Sequence, residues 1–180
     1  MKFIIRIIFR FLVWVAYLTY KIEGVNALLL FMPARIIPTV LRHYGATIGH
    51  DPIIHSPLII HNAKNDYGNL IMGDHCYLGR DVFLDLENRI ELEDQVTVSM
   101  RVTILTHTDV GDSRLNKRIP ASTAPVRICK DAYIGANSTI LQGVTIGAES
   151  LIGAGSVLLK DVPSGAMFAG NPAKEIKKND

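Results

Sequence analysis

The chain has 180 residues, a net charge of +2, 48% hydrophobic residues and two cysteines. That length suits one domain with a real core, and the isolated Cys76 and Cys129 suit a reducing compartment or two core thiols rather than a disulfide framework. The charge is uneven. Residues 1–44 carry six Lys or Arg against Glu23 alone, which suits an anionic membrane surface; the net-acidic remainder has no basic stripe, which argues against a nucleic-acid partner.

Residues 3–20, FIIRIIFRFLVWVAYLTY, are strongly apolar. Lys2, Arg6 and Arg10 recur every four residues, so a helix would set them on one narrow stripe, and that helix would be ~27 Å long. The uncharged run from Phe11 to Tyr20 is half the ~20 residues that a span needs, and two arginines inside a span would be costly. No small-x-small cleavage pattern follows, which argues against a signal peptide. The pattern predicts an interfacial helix that lies on or dips into a membrane, with Trp14, Tyr17 and Tyr20 at headgroup level. The alternative is a helix buried in an oligomer interface. Residues 25–32 stay apolar up to Pro33. Pro33 and Pro38 interrupt helix, and PARIIPTVLRHYGA predicts a short amphipathic helix ending at Gly45. Residues 1–45 are expected to form one membrane-associating arm, as a helix–break–helix entering one leaflet or as one long kinked helix.

From Ile48 a period of six takes over. Ile48, Ile54 and Ile60 are in phase, in an irregular capping coil; Asp66-Tyr67-Gly68-Asn69 reads as a turn. Met72, Leu78 and Leu84 restore the period. It shifts by two around Glu87-Asn88-Arg89, and Leu92, Val98 and Ile104 continue. Ile128, Ile134, Ile140, Ile146, Ile152 and Leu158 then give the clearest run, with a small or β-branched residue at every fifth position. A helix repeats at 3.6 and a strand at 2, so six means a short strand plus a corner. Such units bury their faces only by stacking into a solenoid. Gly135, Gly147 and Gly153, just after the aliphatic position, are expected at corners that need positive φ. About five coils give a body ~24 Å tall. Residues 107–125 break the period with Gly, Ser, Asn, Pro and charged residues and read as an extruded loop, a common place for function. After Pro163 the pattern stops in a turn-rich stretch. The expected division is an arm at 1–45, a solenoid at 46–165 and a C-terminal cap with a basic tail at 166–180.

His107 ends the strand VTILT and opens that loop. It should sit at an exposed corner, and histidine is the residue type suited to general-base work near neutral pH. His50, His55 and His61 superficially suggest metal, but His55 and His61 are consecutive equivalents on different faces and no second pair follows, so no metal site is expected. No P-loop, Rossmann fingerprint or nucleophile elbow is present.

VTILTHTDV with PVRI, YIGANSTILQGVTIG with IGAGSVLLKDVP, and AGNPAK together resemble the hexapeptide-repeat acyltransferases, in the sugar O-acetyltransferase branch that includes galactoside and maltose acetyltransferases. The resemblance spans residues 48–177. It implies a mainly β fold, a left-handed parallel β-helix with three hexads, 18 residues, per triangular coil, and acetyl-CoA as acyl donor. It implies that His107 takes the proton from an acceptor hydroxyl, which attacks the thioester directly with no acyl-enzyme, while backbone N–H groups stabilise the oxyanion. Asp85, where the family has Asn or Asp, would bind the acceptor sugar and help orient His107; Asp109 is a second candidate for both roles. With 18 residues per coil, Gly135 lies over Gly153, Ala136 over Ala154 and Asn137 over Gly155, a column of small residues that an extended pantetheine arm could approach. Ala136, Ala154, Leu159 and Lys160 match coenzyme A-contacting positions, although the family often has Ser or Thr where this chain has Ala136 and Leu159. Lys174 and Lys177 match positions that meet the nucleotide phosphates. A homotrimer with sites between subunits is also implied.

The expected function is acetyl-CoA-dependent O-acetylation of a sugar. The arm favours a lipid-linked saccharide acceptor in surface polysaccharide or lipopolysaccharide synthesis, at the cytoplasmic side of the membrane, peripheral or monotopic, because sharing a surface raises effective concentration. The alternatives are N-acetylation of an amino sugar, transfer of a longer acyl chain, or a non-catalytic membrane-anchored solenoid scaffold.

Overall fold

A computed structural model describes residues 2–176. Two helices, α1 (Lys2–Leu29) and α2 (Ile37–His43), precede a parallel β-solenoid. The first coil holds β1 (Thr47–Ile48), β2 (Ile53–Ile54) and β3 (Leu58–His61), and the second β4 (Leu70–Met72), β5 (Tyr77–Leu78) and β6 (Val82–Asp85). The third holds β7 (Ile90–Leu92), β8 (Thr97–Val98) and β9 (Thr103–Ile104), followed by an antiparallel hairpin of β10 (His107–Thr108) and β11 (Ser122–Thr123). The fourth is β12 (Val126–Ile128), β13 (Tyr133–Ile134) and β14 (Thr139–Ile140), and the fifth β15 (Thr145–Ile146), β16 (Leu151–Ile152) and β17 (Val157–Leu158). Then come β18 (Met167–Ala169) and β19 (Lys174–Glu175).

Corresponding strands stack into three sheets, β1-β4-β7-β12-β15, β2-β5-β8-β13-β16-β18-β19 and β3-β6-β9-β14-β17. The register aligns Ile48, Met72, Leu92, Ile128 and Ile146 in one inward column. Ile54, Leu78, Val98, Ile134 and Ile152 form the second, and Ile60, Leu84, Ile104, Ile140 and Leu158 the third. All are buried. Ser138, Ser150 and Ser156, also buried, satisfy their hydroxyls on corner carbonyls of Gly147 and Gly153. The period thus reads as expected, including the shift of two: Met72 pairs with Leu92 rather than with residue 90.

The glycine reading needs correction. Gly135, Gly147 and Gly153 do not have positive φ; the left-handed positions come two residues later, at Asn137, Glu149 and Gly155, and likewise at Asp81, Arg101 and Asp131. Glycine is needed for close stacking. A β-carbon on Gly135 would lie 2.5 Å from the Ala154 nitrogen, and one on Gly79 2.6 Å from the Met100 nitrogen.

The N-terminal region also departs from a single membrane arm. α1 breaks at Tyr20 and Lys21, where Lys21 takes φ 52°. Beyond the break, Ile22, Val25, Leu29 and Met32 are buried together with Ile37 and Leu41 of α2, in the same apolar core as the first coil. Burying one such side chain fully contributes about 1.5–3 kcal/mol. These residues therefore close the open end of the solenoid. Pro38 starts α2 rather than interrupting a helix, because it falls in the first turn, where a missing N–H costs nothing. Tyr67, in the segment read as a turn, is fully buried; its hydroxyl donates to Asn26 Oδ1 at 2.8 Å and its N–H to the Tyr44 carbonyl at 2.7 Å, tying the first loop to the cap. At the other end β18 still stacks on β16, so the solenoid runs past Pro163, and β19 turns back antiparallel to cover it.

One corner absorbs all the large insertions. The corner from the first sheet to the second has four residues in every coil, and the next corner three or four. The corner from the third sheet back to the first holds residues 62–69, 86–89, 105–125, 141–144 and 159–161 in successive coils.

Candidate active site

His107 stands where the third coil leaves the solenoid at this variable corner, as the first residue of β10. Its partner β11 pairs Thr123 with His107 and Ser122 with Thr108, so the root of the long loop is a fixed hairpin. Gln142, one coil on, donates to Thr108 Oγ1 (3.0 Å) and Ser122 Oγ (2.9 Å) and pins that hairpin to the fourth coil.

Under the imidazole lies Asp85, the last residue of β6, only 1% exposed. His107 Nδ1 is 2.6 Å from Asp85 Oδ2. The same oxygen accepts from the Thr106 N–H (2.8 Å), while the Thr106 hydroxyl donates to the Asp85 main-chain carbonyl (2.7 Å). Oδ1 accepts from Asn62 Nδ2 (2.9 Å) and the Glu87 N–H (3.3 Å). Burial by itself would push the Asp85 carboxyl up, but hydrogen bonds from His107, Thr106, Asn62 and Glu87 together hold it below its ordinary value. An ionised carboxylate can only accept, so Nδ1 carries the proton and Nε2 is left as the basic nitrogen. The His107 ring, about one-third exposed, lines a cavity of about 430 Å³ with Asn62, Glu87, Thr108, Asp109, Ser122 and Thr123.

Asp85 is thus an orienting group under His107. Its burial and its full set of internal donors remove it from the wall that an acceptor would touch, which corrects the substrate-binding expectation. Asp109 is exposed at the rim and its Oδ1 accepts from the Gly111 N–H at 2.7 Å, closing a turn of the loop rather than orienting the imidazole. Asn62 and Thr106 went unread in the sequence. Thr106 adjoins His107, but nothing in the period says that its hydroxyl turns inward; Asn62 opens the first insertion, at the same corner one coil before Asp85 and two before His107.

The expected stacking of small residues is present. Tyr133 and Ile134 pair with Leu151 and Ile152, and Gly155 N–H donates to the Ala136 carbonyl at 2.8 Å. Ala136 and Ala154 therefore stack at the corner between the second and third sheets, and Lys174, exposed and paired with Ala169, lies at the same end. Leu159 and Lys160 are exposed at the variable corner, two coils from His107. Within one chain the structure gathers His107, Asp85 and Asp109 at one corner, with Leu159 and Lys160 further along it, and Ala136, Ala154 and Lys174 at another. Lys177 lies outside the described residues.

Residues 125–160 match the family model described as bacterial transferase hexapeptide (six repeats). Among curated proteins, 59 residues are 49% identical to a 2,3,4,5-tetrahydropyridine-2,6-dicarboxylate N-acetyltransferase of Staphylococcus aureus (strain JH9), 33% of this chain and 25% of that one. The chain thus spans about a quarter of the length of the curated relatives that it matches. Among solved structures, a maltose O-acetyltransferase from Clostridium difficile 630 has a TM-score of 0.68 and 27% identity, over 88% of this chain and 84% of that one. A hexapeptide-repeat-containing acetyltransferase of Vibrio cholerae complexed with acetyl coenzyme A has a TM-score of 0.73 and 24% identity, over 91% and 92%. A galactoside acetyltransferase in complex with coenzyme A has a TM-score of 0.74 and 23% identity, over 88% and 78%. The chain carries the transferase hexapeptide repeat and has the fold of the hexapeptide-repeat acetyltransferases.

Proposed function

We propose that this hexapeptide-repeat chain is an acyltransferase that moves acetyl from acetyl-CoA to a saccharide hydroxyl, with His107 as general base. The observation that carries the reading is a buried carboxylate bonded to Nδ1 of a half-open histidine beside a polar cavity. Nε2 takes the acceptor hydroxyl proton as the oxygen attacks the thioester carbon. The C–O bond forms, the C–S bond breaks, and the proton passes from Nε2 to the departing thiolate. The Asp85 carboxylate stabilises the imidazolium in between. Relatives of the same fold solved with acetyl-CoA or coenzyme A support the donor. The small-residue column at Ala136 and Ala154 suits the pantetheine arm, and Lys174 suits a phosphate. The maltose O-acetyltransferase, similar over most of both chains, favours oxygen. The short match to an N-acetyltransferase supports a second reading, transfer to an amine.

A homotrimer is part of the proposal, because residues suited to the donor and His107 occupy different corners of one chain and a neighbouring copy could supply one set to the other. So is a lipid-linked acceptor at the cytoplasmic face of a membrane, supported by the apolar residues 7–20 and by the six Lys or Arg against one Glu in residues 1–44. Among the described residues no helix is long and apolar enough to cross a membrane. The test is transfer from acetyl-labelled acetyl-CoA into lipid-linked and free sugars, with His107→Ala as control. Label that hydroxylamine removes, and that the variant does not transfer, supports the ester reading; hydroxylamine-resistant label points to an amide. Transfer undiminished in His107→Ala would discard the assigned base.

A further inference from the structure

The outer half of α1 leaves a broad apolar surface. Ile7, Ile8, Phe11, Leu12, Trp14, Val15 and Leu18 are all exposed, with Phe11 at 60%, Trp14 at 57% and Leu18 at 55%. At 100° per residue they cover an arc of roughly 160°, wider than the ~100° stripe of a helix docked on a protein core. Val13, on the opposite side, is buried, and Tyr17 packs on Tyr44 with ring centroids 4.9 Å apart. Between α1 and α2 runs a groove of about 280 Å³ lined by Arg10, Trp14, Thr39, His43 and Tyr44 among others. Arg10 is exposed at the edge of the arc, where an interfacial helix keeps its cations, and the groove lining holds no acidic side chain. Glu23 is the one acid among residues 1–50.

We infer that this groove is a headgroup site: Arg10, with Thr39 and His43 opposite, takes the phosphate of an anionic phospholipid while the exposed arc of α1 enters the acyl region beside it. The occupant follows from charge complementarity and from the shape of the surface. A second protein copy would be expected to cover a narrower stripe, and it would have to bring an acid to a groove whose one charged side chain is Arg10. The inference rests on the proposed membrane association and adds a recognition site to it. It also fixes an orientation. The groove lies on the cap side of the first coil, and the buried Tyr67 joins that cap to the loop 62–69, whose Asn62 reaches the Asp85–His107 pair. The variable corner is then linked to the lipid surface by continuous protein contacts.

Trp14 is the single tryptophan of the chain, so the site carries its own reporter. Full-length protein is mixed with phosphatidylcholine vesicles, with or without phosphatidylglycerol, carrying brominated acyl chains. Trp14 emission should shift to the blue and be quenched by the phosphatidylglycerol vesicles. Arg10→Gln should raise the half-saturating lipid concentration about fivefold, the effect of one cation at an anionic surface, and Arg10→Lys should largely restore it. Equal quenching by phosphatidylcholine alone, or no response to Arg10→Gln, overturns the headgroup site. Emission already blue without lipid and unmoved by vesicles would give the arc to a second copy and overturn it too. The same shift with inorganic phosphate alone would make the groove a free-phosphate site and overturn the lipid assignment. Vesicle binding in His107→Ala should match the parent, so loss of acetyl transfer with intact binding would leave the headgroup site standing, and parental transfer with intact binding would count against the catalytic reading alone.

Discussion

Replacing Asp85 by Asn keeps the shape of the buried group and removes its charge, and the hydrogen-bond partners decide the outcome. An amide nitrogen at the Oδ2 position would face the Thr106 N–H, so a buried donor would lose its acceptor. At the Oδ1 position it would face Asn62, whose own amide can invert, and the Glu87 N–H, whose bond is already long at 3.3 Å. The second orientation is cheaper. It keeps Nδ1–H of His107 on a carbonyl oxygen, preserves the tautomer and leaves Glu87 N–H without a partner. An unsatisfied donor costs about 1–3 kcal/mol, and charged bonds become weaker neutral ones, so Asp85→Asn should lose about 2–3 kcal/mol of stability. The imidazolium formed during transfer loses its counter-charge. A drop of about 1.4–2.7 kcal/mol in its stabilisation lowers kcat about 10- to 100-fold, with KM little changed because Asp85 is not exposed to the acceptor. The folded Asp85 titrates below the unfolded group, so its contribution is complete above the ordinary Asp value of 3.8 and fades as pH falls toward the lower folded value. The variant should lack that acid-side loss. Urea unfolding between pH 7 and pH 3, with thiol release from acetyl-CoA as the rate assay, measures both. A variant with parental kcat, or one whose stability falls with acid as the parent's does, would refute the orienting role.

Two further substitutions test the frame around the site. Gly135→Ala drives a β-carbon into the Ala154 backbone, and an overpacked coil should cost about 1–3 kcal/mol, seen as a melting temperature lowered by several degrees. Tyr67→Phe removes the hydroxyl that donates to Asn26 in the core and should cost about 1–2 kcal/mol, with faster hydrogen exchange in α2 than in the fifth coil; uniform exchange across both would show that the cap is not a separate unit.

The solenoid was legible because a stacked fold repeats one demand. Each inward column wants an aliphatic residue, and within a coil these fall at an interval of six that stands in the sequence, as at Ile128, Ile134 and Ile140. The loss of phase likewise marked the loop at His107. The period could not say what apolar residues outside it pack against: Ile22, Val25 and Leu29 look no different from Phe11 and Leu18, yet the first set is buried and the second exposed. The break at Lys21 has no Pro to announce it; its one mark is Gly24, where a β-carbon would run into the Ala16 carbonyl oxygen, and a lone Gly in an apolar run does not by itself say that the helix kinks. The Asp85–His107 bond was half legible. Position brought the two residues near one another, but the burial of Asp85 depends on Thr106 and Asn62, whose side-chain directions a repeat does not encode.

The concentration of insertions at one corner bears on how such a molecule can change. A loop there leaves from one inward column and returns to the next, whatever its length, so the stack does not register it. Doubling a loop costs only about 0.6 kcal/mol in closure entropy. A single residue added at the four-residue corner, by contrast, would turn the following strand's inward side chains outward. Residues 109–121, beyond the hairpin rooted at His107 and almost all exposed, can therefore lengthen, shorten or be exchanged at little cost to the folded body, and under the proposed function such exchange would suit a different acceptor. Selection on substrate range and selection on stability act on separate edges of the same triangle.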